Sequence, residues 1–480
     1  MRWRTAQLVG VNTIFLVRVL VLARILSPDA FGLLAIALVP IGILLQASEL
    51  GMVPALVQAR APERRHYDVA WTIGLGRGLF TTAVVLALAP WIAELAGEPR
   101  AAAITRVLAL HPLLLASSSI RLADLQRELD FRPLAIVHLT EATANTVVAI
   151  ALAPHVGVWA LIGGMLAGSL GRLVTSYAVA PHVPRLRFER EAARALIRFG
   201  RWIFVAALLG TVGDALLRLL ISRHIGAAEL GIYYLATRLT FLLGGTIVDV
   251  GSSVAFPIYA RLQQERDEAV RVFRAVLSTT LALIVPAFAL LIALAPALVA
   301  NVLGVHWQGT ESVLRVLAGV CILSLFGDIT APIWNGMGQP WRNALIESLQ
   351  ATVLLVGVWL LIARLGAVGA AAAWIPATLV TQALAGRFLP RVLPRPLQGL
   401  GRLAAAVGLS AAAGAASAAG IAAAAPGLLG TLIAAAAGAG VAFGGLLVSD
   451  RRFDLGLERS LRRVFPNLAL PGAPSHDALG

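Results

Sequence analysis

The sequence predicts an all-α polytopic membrane protein of about 14 transmembrane helices, arranged as two six-helix lobes in parallel repeat followed by a C-terminal helix pair. Three observations predict it. Apolar stretches of roughly 20 residues, the length a helix needs to cross a ~30 Å hydrocarbon core, recur along the whole chain. The loops between them alternate between arginine-rich and nearly bare. The first half also resembles the second at a constant offset.

Hydrophobic residues make up 59% of the 480, charged residues 13%, and the mean hydropathy is +0.83. An average globular domain carries about 25% charged residues. The ~10-residue alternating segments of a spanning β-barrel are absent. In order along the chain, spans are expected near 5–26, 30–52, 68–95, 101–124, 132–154, 157–180, 199–222, 228–255, 274–302, 312–335, 343–364, 367–388, 403–424 and 427–448. The first span follows Met1 almost at once, and no cleavable signal peptide is expected.

All 39 basic side chains are arginine, and the net charge is +14. A nucleic-acid partner is not expected, because the arginines sit in short connections after the even-numbered spans. Arg64 and Arg65, Arg121 and Arg127, Arg185 and Arg187, and Arg261 and Arg266 are examples, and Arg451 and Arg452 begin an arginine-rich tail. The positive-inside rule then places both termini and these loops in the cytoplasm of a multi-pass protein of the bacterial inner membrane. One helix more or fewer would break the alternation. The longest loop reads as a cytoplasmic linker at 181–198. The expected organisation is a first lobe at 1–180, this linker, a second lobe at 199–390, the extra pair at 391–448 and a cytoplasmic tail at 449–480.

The repeat is carried by short matches. The segment from Arg24 to Ala37 matches that from Arg223 to Ala236, including Gly32 against Gly231. Pro54 to Arg60 matches Pro257 to Arg261, and Arg106 to Leu110 matches Arg315 to Gly319. Phe131-Arg132 opens span five as Trp341-Arg342 opens span eleven, and Gly157 stands where Gly366 stands. Six spans bring the second copy back to the same side, so the repeats are parallel. Transporters of this build hold substrate near the interface of their repeats.

Charged groups within spans are costly unless paired or facing water, so each is a functional candidate. Arg18, Arg77, Arg218 and Arg238 put positive charge at depth. A guanidinium binds phosphate oxygens bidentately and stays ionised, so these four suit a diphosphate. Asp214, His138 and Glu141 are the candidates for carrying H+ or Na+. Asp214 lies one turn before Arg218, where an ion pair on one helix face is the plain structural alternative. Glu49, Asp249, Asp328 and Glu347 are further intramembrane acids, and Asn145 is among the polar groups that could meet sugar hydroxyls. Gly164, Gly168 and Gly171 form a small-residue face suited to helix packing.

The single cysteine, Cys321, excludes a disulfide framework and a cysteine-based metal site. No P-loop, HExxH, metal-ligand spacing or GxSxG occurs, so neither an ATP motor, a metal centre, a cofactor nor an enzyme is expected.

The segment from Arg24 to Leu33 resembles a turn of the bacterial polysaccharide-export flippases, within the multidrug/oligosaccharidyl-lipid/polysaccharide exporter superfamily. Gly51 to Gln58, Leu129 to Arg132, Asp214, Leu230 to Tyr233 and Phe256-Pro257 also resemble that family, from about residue 10 to about residue 390. The resemblance implies two six-helix lobes around a central cavity. It implies transfer of undecaprenyl-diphosphate-linked oligosaccharide from the cytoplasmic to the periplasmic leaflet, with polysaccharide polymerase or export machinery as partners. Members carry a longer lead before span one, so a shortened lead is expected here. Two other readings stand beside it. One is a cation-coupled multidrug exporter, which would favour a more apolar cavity with an acidic core. The other is a membrane-embedded polymerase or ligase, which would need a large extramembrane loop that this sequence lacks.

Overall fold

The computed structural model describes residues 2–47, 63–128, 130–186 and 190–453. Glu49, the motif from Gly51 to Gln58, the match from Pro54 to Arg60, Leu129, Arg187 and the tail from 454 onward lie outside the described residues, as do the side chains of Asp249, Phe256 and Pro257.

The described chain is helical, with no strand. The helices are α1 (Arg2–Ile25), α2 (Pro28–Ala47), α3 (Arg64–Ala96), α4 (Ala101–Leu108), α5 (Leu110–Ala116), α6 (Leu122–Arg127), α7 (Phe131–Val156) and α8 (Trp159–Val179). There follow α9 (Arg190–Arg261), α10 (Arg266–Leu298), α11 (Thr310–Gly336), α12 (Pro340–Ala372), α13 (Trp374–Phe388), α14 (Gly401–Ala424) and α15 (Leu428–Phe453). Nine helical segments among the described residues are long and apolar enough to cross a membrane. Large apolar side chains such as Leu79, Phe80 and Trp91 on α3 and Trp359 and Leu360 on α12 are exposed, a surface that suits lipid and not water. The protein is a multi-pass membrane protein.

Local chemistry sets several of the boundaries. Pro28 opens α2, where a missing N–H costs nothing, and Asp29 in the first turn complements the helix dipole. Glu63 and His66 form a reciprocal cap at the start of α3. The Asp130 carboxylate accepts from the Arg132 amide and starts α7.

One difference from the sequence expectation has a physical cause. The expected fourth span, 101–124, is three short helices, and the first break, after Leu108, follows from Pro112, which has no N–H and whose ring crowds the carbonyl four residues back at Leu108. Thr82 Oγ1 donates to the Ala109 carbonyl at 2.7 Å and satisfies the acceptor at that break. Spans seven and eight meet at Gly226, and spans eleven and twelve meet at Gly366, each glycine carrying non-helical backbone that kinks the chain between two helices. Helix also begins at Arg190, inside the stretch expected as linker.

The chain divides into two compact units, 1–238 with 302–313 and 351–373, and 239–301 with 314–350 and 374–480. In the first, α7 packs along α8 and α1 packs on α7, while α3 packs on α2, α4 and α5. Gly164 and Gly168 allow the α7–α8 approach: a Cβ on either would lie within 2.9 Å of the α7 backbone, at the Asn145 and Glu141 carbonyls. In the second, α14 and α15 pack on each other and on α10, around Leu290, Leu294, Ala418 and Ala434. Its main core surrounds Tyr259, Phe273, Ile333, Trp334 and Leu389.

The repeat is visible as reciprocal contact within the first unit. A Cβ on Gly32 would meet the Ala227 carbonyl oxygen at 1.8 Å, and one on Gly231 would meet the Pro28 carbonyl oxygen at 1.8 Å. Ala227 is the repeat counterpart of Pro28, and Gly231 of Gly32. Two matching segments thus touch each other through the same positions, the pattern a two-fold axis imposes. Arg24 Nε donates to the Val302 carbonyl at 2.6 Å, and its counterpart Arg223 donates through Nη1 to the Glu94 carbonyl at 3.4 Å. Trp307 Nε1 donates to Ala23 O at 2.6 Å, and Ser222, the counterpart of Ala23, donates to Ala96 O at 2.8 Å. Gly157 and Gly366 share an unusual backbone, φ 57° and ψ −126° against φ 57° and ψ −139°, which only glycine adopts without strain.

Candidate functional site

Two neighbouring polar cavities lie in the first unit. One, of about 410 Å³, is walled by α1, α7 and α8, and Arg18, His138, Glu141, Asn145 and Arg172 line it. The second, of about 210 Å³, is walled by α2, α5 and α9, with His111, Asp214, Arg218 and Arg238. Arg18 stands within electrostatic range of Tyr234 and Arg238, and His111 within range of Glu141 and Arg172, so their charges act on one another. A third cavity, of about 640 Å³, lies at the ends of α1, α2, α7 and α8 beside the ion pair of Arg100 with Asp29, 2.9 Å.

In the first cavity Glu141 Oε2 accepts from Arg172 Nη1 at 3.1 Å, and His138 Nδ1 lies 3.7 Å from the same oxygen. The expected His138–Glu141 pairing is therefore secondary to an ion pair across helices. Arg18 stacks over the Phe15 ring, 4.9 Å from its centroid. Its buried Nε has no hydrogen-bond partner, nor do Arg172 Nε and Asn145 Oδ1. Buried polar groups are normally satisfied, so unmade bonds lining a cavity mark where a ligand or water can make them.

In the second cavity Arg218 Nη2 pairs with Asp214 at 2.6 Å, one turn apart as the spacing suggests. Tyr234 lies between two guanidiniums, with Arg218 5.6 Å and Arg238 5.0 Å from its ring centroid. Cation–π contact steadies the two cations while leaving their N–H groups able to donate. His111 Nδ1 contacts Ser169 Oγ at 2.6 Å.

Of the residues singled out from sequence, Arg18, His138 and Glu141 share the first cavity, and Arg218, Arg238 and Asp214 share the second. Arg77, half-buried on α3, lines neither. Arg172, His111 and Tyr234 were not singled out. Arg172 was findable by the rule that found Arg18, as an arginine in the middle of a span, one turn beyond Gly168. Tyr234 carries no charge and gives no such signal. In the second unit, Asp328 accepts from Ser324 Oγ at 2.8 Å, and Asn343 donates to Glu347 at 2.8 Å. No cluster of three or more metal-ligating side chains occurs among the described residues.

The family of polysaccharide biosynthesis proteins matches residues 21–312, more than half of the chain. The chain belongs to this family. The matched region carries every residue that lines the two polar cavities from α2 onward. Among relatives of the polysaccharide biosynthesis protein, the succinoglycan biosynthesis transport protein ExoT of Rhizobium meliloti is 26% identical over 317 residues, 66% of this chain and 64% of the relative. The chain thus spans somewhat less than two thirds of that relative's length. Among solved structures, the lipid II flippase MurJ in an inward closed conformation aligns with a TM-score of 0.75, covering 94% of this chain and 99% of that one at 13% identity. An inward-facing multidrug resistance MATE transporter of the MOP superfamily aligns with a TM-score of 0.63, covering 79% of this chain and 94% of that one at 17% identity. At such identities the likeness establishes the fold.

Proposed function

We propose that this polysaccharide biosynthesis protein flips undecaprenyl-diphosphate-linked oligosaccharide from the cytoplasmic to the periplasmic leaflet of the bacterial inner membrane. It acts as a transporter and not as an enzyme. One observation carries the reading most directly. The two polar cavities bring together four guanidiniums, Arg18, Arg172, Arg218 and Arg238, against two carboxylates, Glu141 and Asp214. The surplus positive charge lies at depth, where it is costly without an anion. A lipid-linked diphosphate supplies that charge together with oxygens that guanidinium forks grip bidentately. Drug cations would meet repulsion in the same place, which weighs against multidrug export.

In this reading the arginine-rich loops and both termini face the cytoplasm, and 1–180 and 199–390 are the two rocking lobes, joined by 181–198 and followed by the helix pair at 391–448 and the tail at 449–480. The reciprocal contacts of Arg24 and Arg223 then lie on the periplasmic side and hold it shut. Release of the glycan requires them to part. Coupling to an H+ or Na+ gradient falls to the carboxylates held by arginine, since a diphosphate that engages Arg172 or Arg218 competes with Glu141 or Asp214 and frees it to bind a cation. Arg77 contributes near the path of the headgroup. A polysaccharide polymerase or export complex would consume the product.

Deleting the gene in its host tests the reading. The expected result is loss of surface polysaccharide with lipid-linked glycan accumulating in the cytoplasmic leaflet. Unchanged surface glycan with altered drug tolerance would instead support the multidrug exporter.

A further inference from the structure

The pairing of Phe131-Arg132 with Trp341-Arg342 is a repeat motif that the transport site does not absorb. In the second unit it is elaborated. The Arg342 guanidinium carbon lies 5.5 Å from the Trp334 ring centroid, 5.4 Å from that of Trp341 and 5.2 Å from that of Phe388. Arg391 approaches the same Phe388 ring, at 5.7 Å, and lies within electrostatic range of Arg342. Neither arginine forms an ion pair with a described residue. Among the described residues the counterpart, Arg132, stands over one ring, Trp3, at 5.7 Å.

Three rings stabilise a cation but accept hydrogen bonds poorly. Arg342 Nε and Nη1 are buried with no hydrogen-bond partner. Two like charges held together with donors that no protein group accepts, at the positive end of the α12 dipole, are suited to an anion. A simple interfacial anchor would send its guanidinium out to water and leave no donor buried.

The helix below the site shows what else the anion carries. Trp341, Leu345 and Leu349 are all exposed and recur at helical spacing along one face of α12. An apolar stripe running from a phosphate site into the bilayer fits an acyl chain and has no use for inorganic phosphate. We propose that Arg342 and Arg391, with Trp334, Trp341 and Phe388 as their floor, bind the phosphate of an anionic membrane phospholipid whose chain lies along α12. The site requires only that the protein spans a membrane, so it stands or falls independently of the transport reading.

Native mass spectrometry of the detergent-solubilised full chain tests it, with phosphatidylglycerol and phosphatidylcholine of identical acyl chains as probes. The expected result is that wild type retains phosphatidylglycerol several-fold over phosphatidylcholine. The preference should vanish in R342Q/R391Q, persist in R271Q, and survive excess inorganic phosphate. Equal retention by wild type and R342Q/R391Q would overturn the proposal. So would equal retention of the two lipids, or displacement by inorganic phosphate, which would mark a free-ion site. If the double variant fails to fold, R391Q, whose side chain is exposed, carries the test. A partial loss of the preference is expected there, and an unchanged preference overturns the proposal.

Discussion

Arg172 and His138 compete for one carboxylate, and the geometry gives it to Arg172. Glu141 is therefore a paired anion until something with a stronger claim on Arg172 arrives. On the proposed reading each of Arg18, Arg172 and Arg218 offers the diphosphate charge-assisted hydrogen bonds worth about 1.5–3 kcal/mol, so alanine at each position should lower transport by about tenfold or more. Membrane abundance should hold, and quantitative immunoblotting against transport rate separates the two effects. A different residue reports on pH. His182, in the segment after α8, lies 3.3 Å from Asp68, and Asp68 Oδ1 also accepts from the Arg185 amide at 3.2 Å. Burial holds the imidazole below its ordinary value, with Asp68 opposing and Arg121 and Arg64 reinforcing the shift. The folded protein thus takes this proton less readily than the unfolded chain. Stability should be full above about pH 6.5 and fall as pH drops through the lowered folded value. Melting curves in detergent should show that acid limb flattened in His182→Gln.

At the scale of helices, packing distances decide which glycines are replaceable. Gly32 and Gly231 face backbone carbonyls that cannot swing aside, so alanine at either should cost about 1–3 kcal/mol through overpacking. Gly76 faces open space on α3, and alanine there should stabilise the helix by about 0.5–1 kcal/mol. Thermal melting of the three variants checks both signs. The helices themselves were readable, because a ~20-residue apolar run has one physical outcome in a bilayer and because Gly157 and Gly366 recur with the repeat. The break in the fourth span was written in Pro112, yet its length and apolarity alone read as one helix. The site was readable where it was charged, at Arg18, Arg218 and Arg238. Tyr234 between its two arginines was not, because an aromatic residue in an apolar span has the same local signature whether it packs or stacks on a cation. Arg77 had the same sequence signature as Arg18 but lies outside both cavities, since depth along a helix says nothing of which face a side chain takes.

For the whole molecule, the reciprocal contacts of Gly32 with Ala227 and of Arg24 and Arg223 with carbonyls of the opposite repeat make a particular form of motion testable. If the two repeats rock about a shared axis, amide exchange should rise together in 22–32 and 221–231 when lipid-linked glycan is added. A rise confined to one segment would count against a symmetric opening. The family membership and the MurJ-like fold fix the architecture, while the nature of the cargo rests on the arginine surplus at depth. Reconstitution measures that most directly: purified protein in proteoliposomes holding undecaprenyl-diphosphate-linked oligosaccharide, with the glycan's accessibility to an external glycosidase followed over time. The wild type should equilibrate the glycan between leaflets, and Arg18→Ala and Arg218→Ala should slow it by about tenfold or more. Vesicles in which the glycan stays in its leaflet while a cationic dye is carried across would contradict the proposed function.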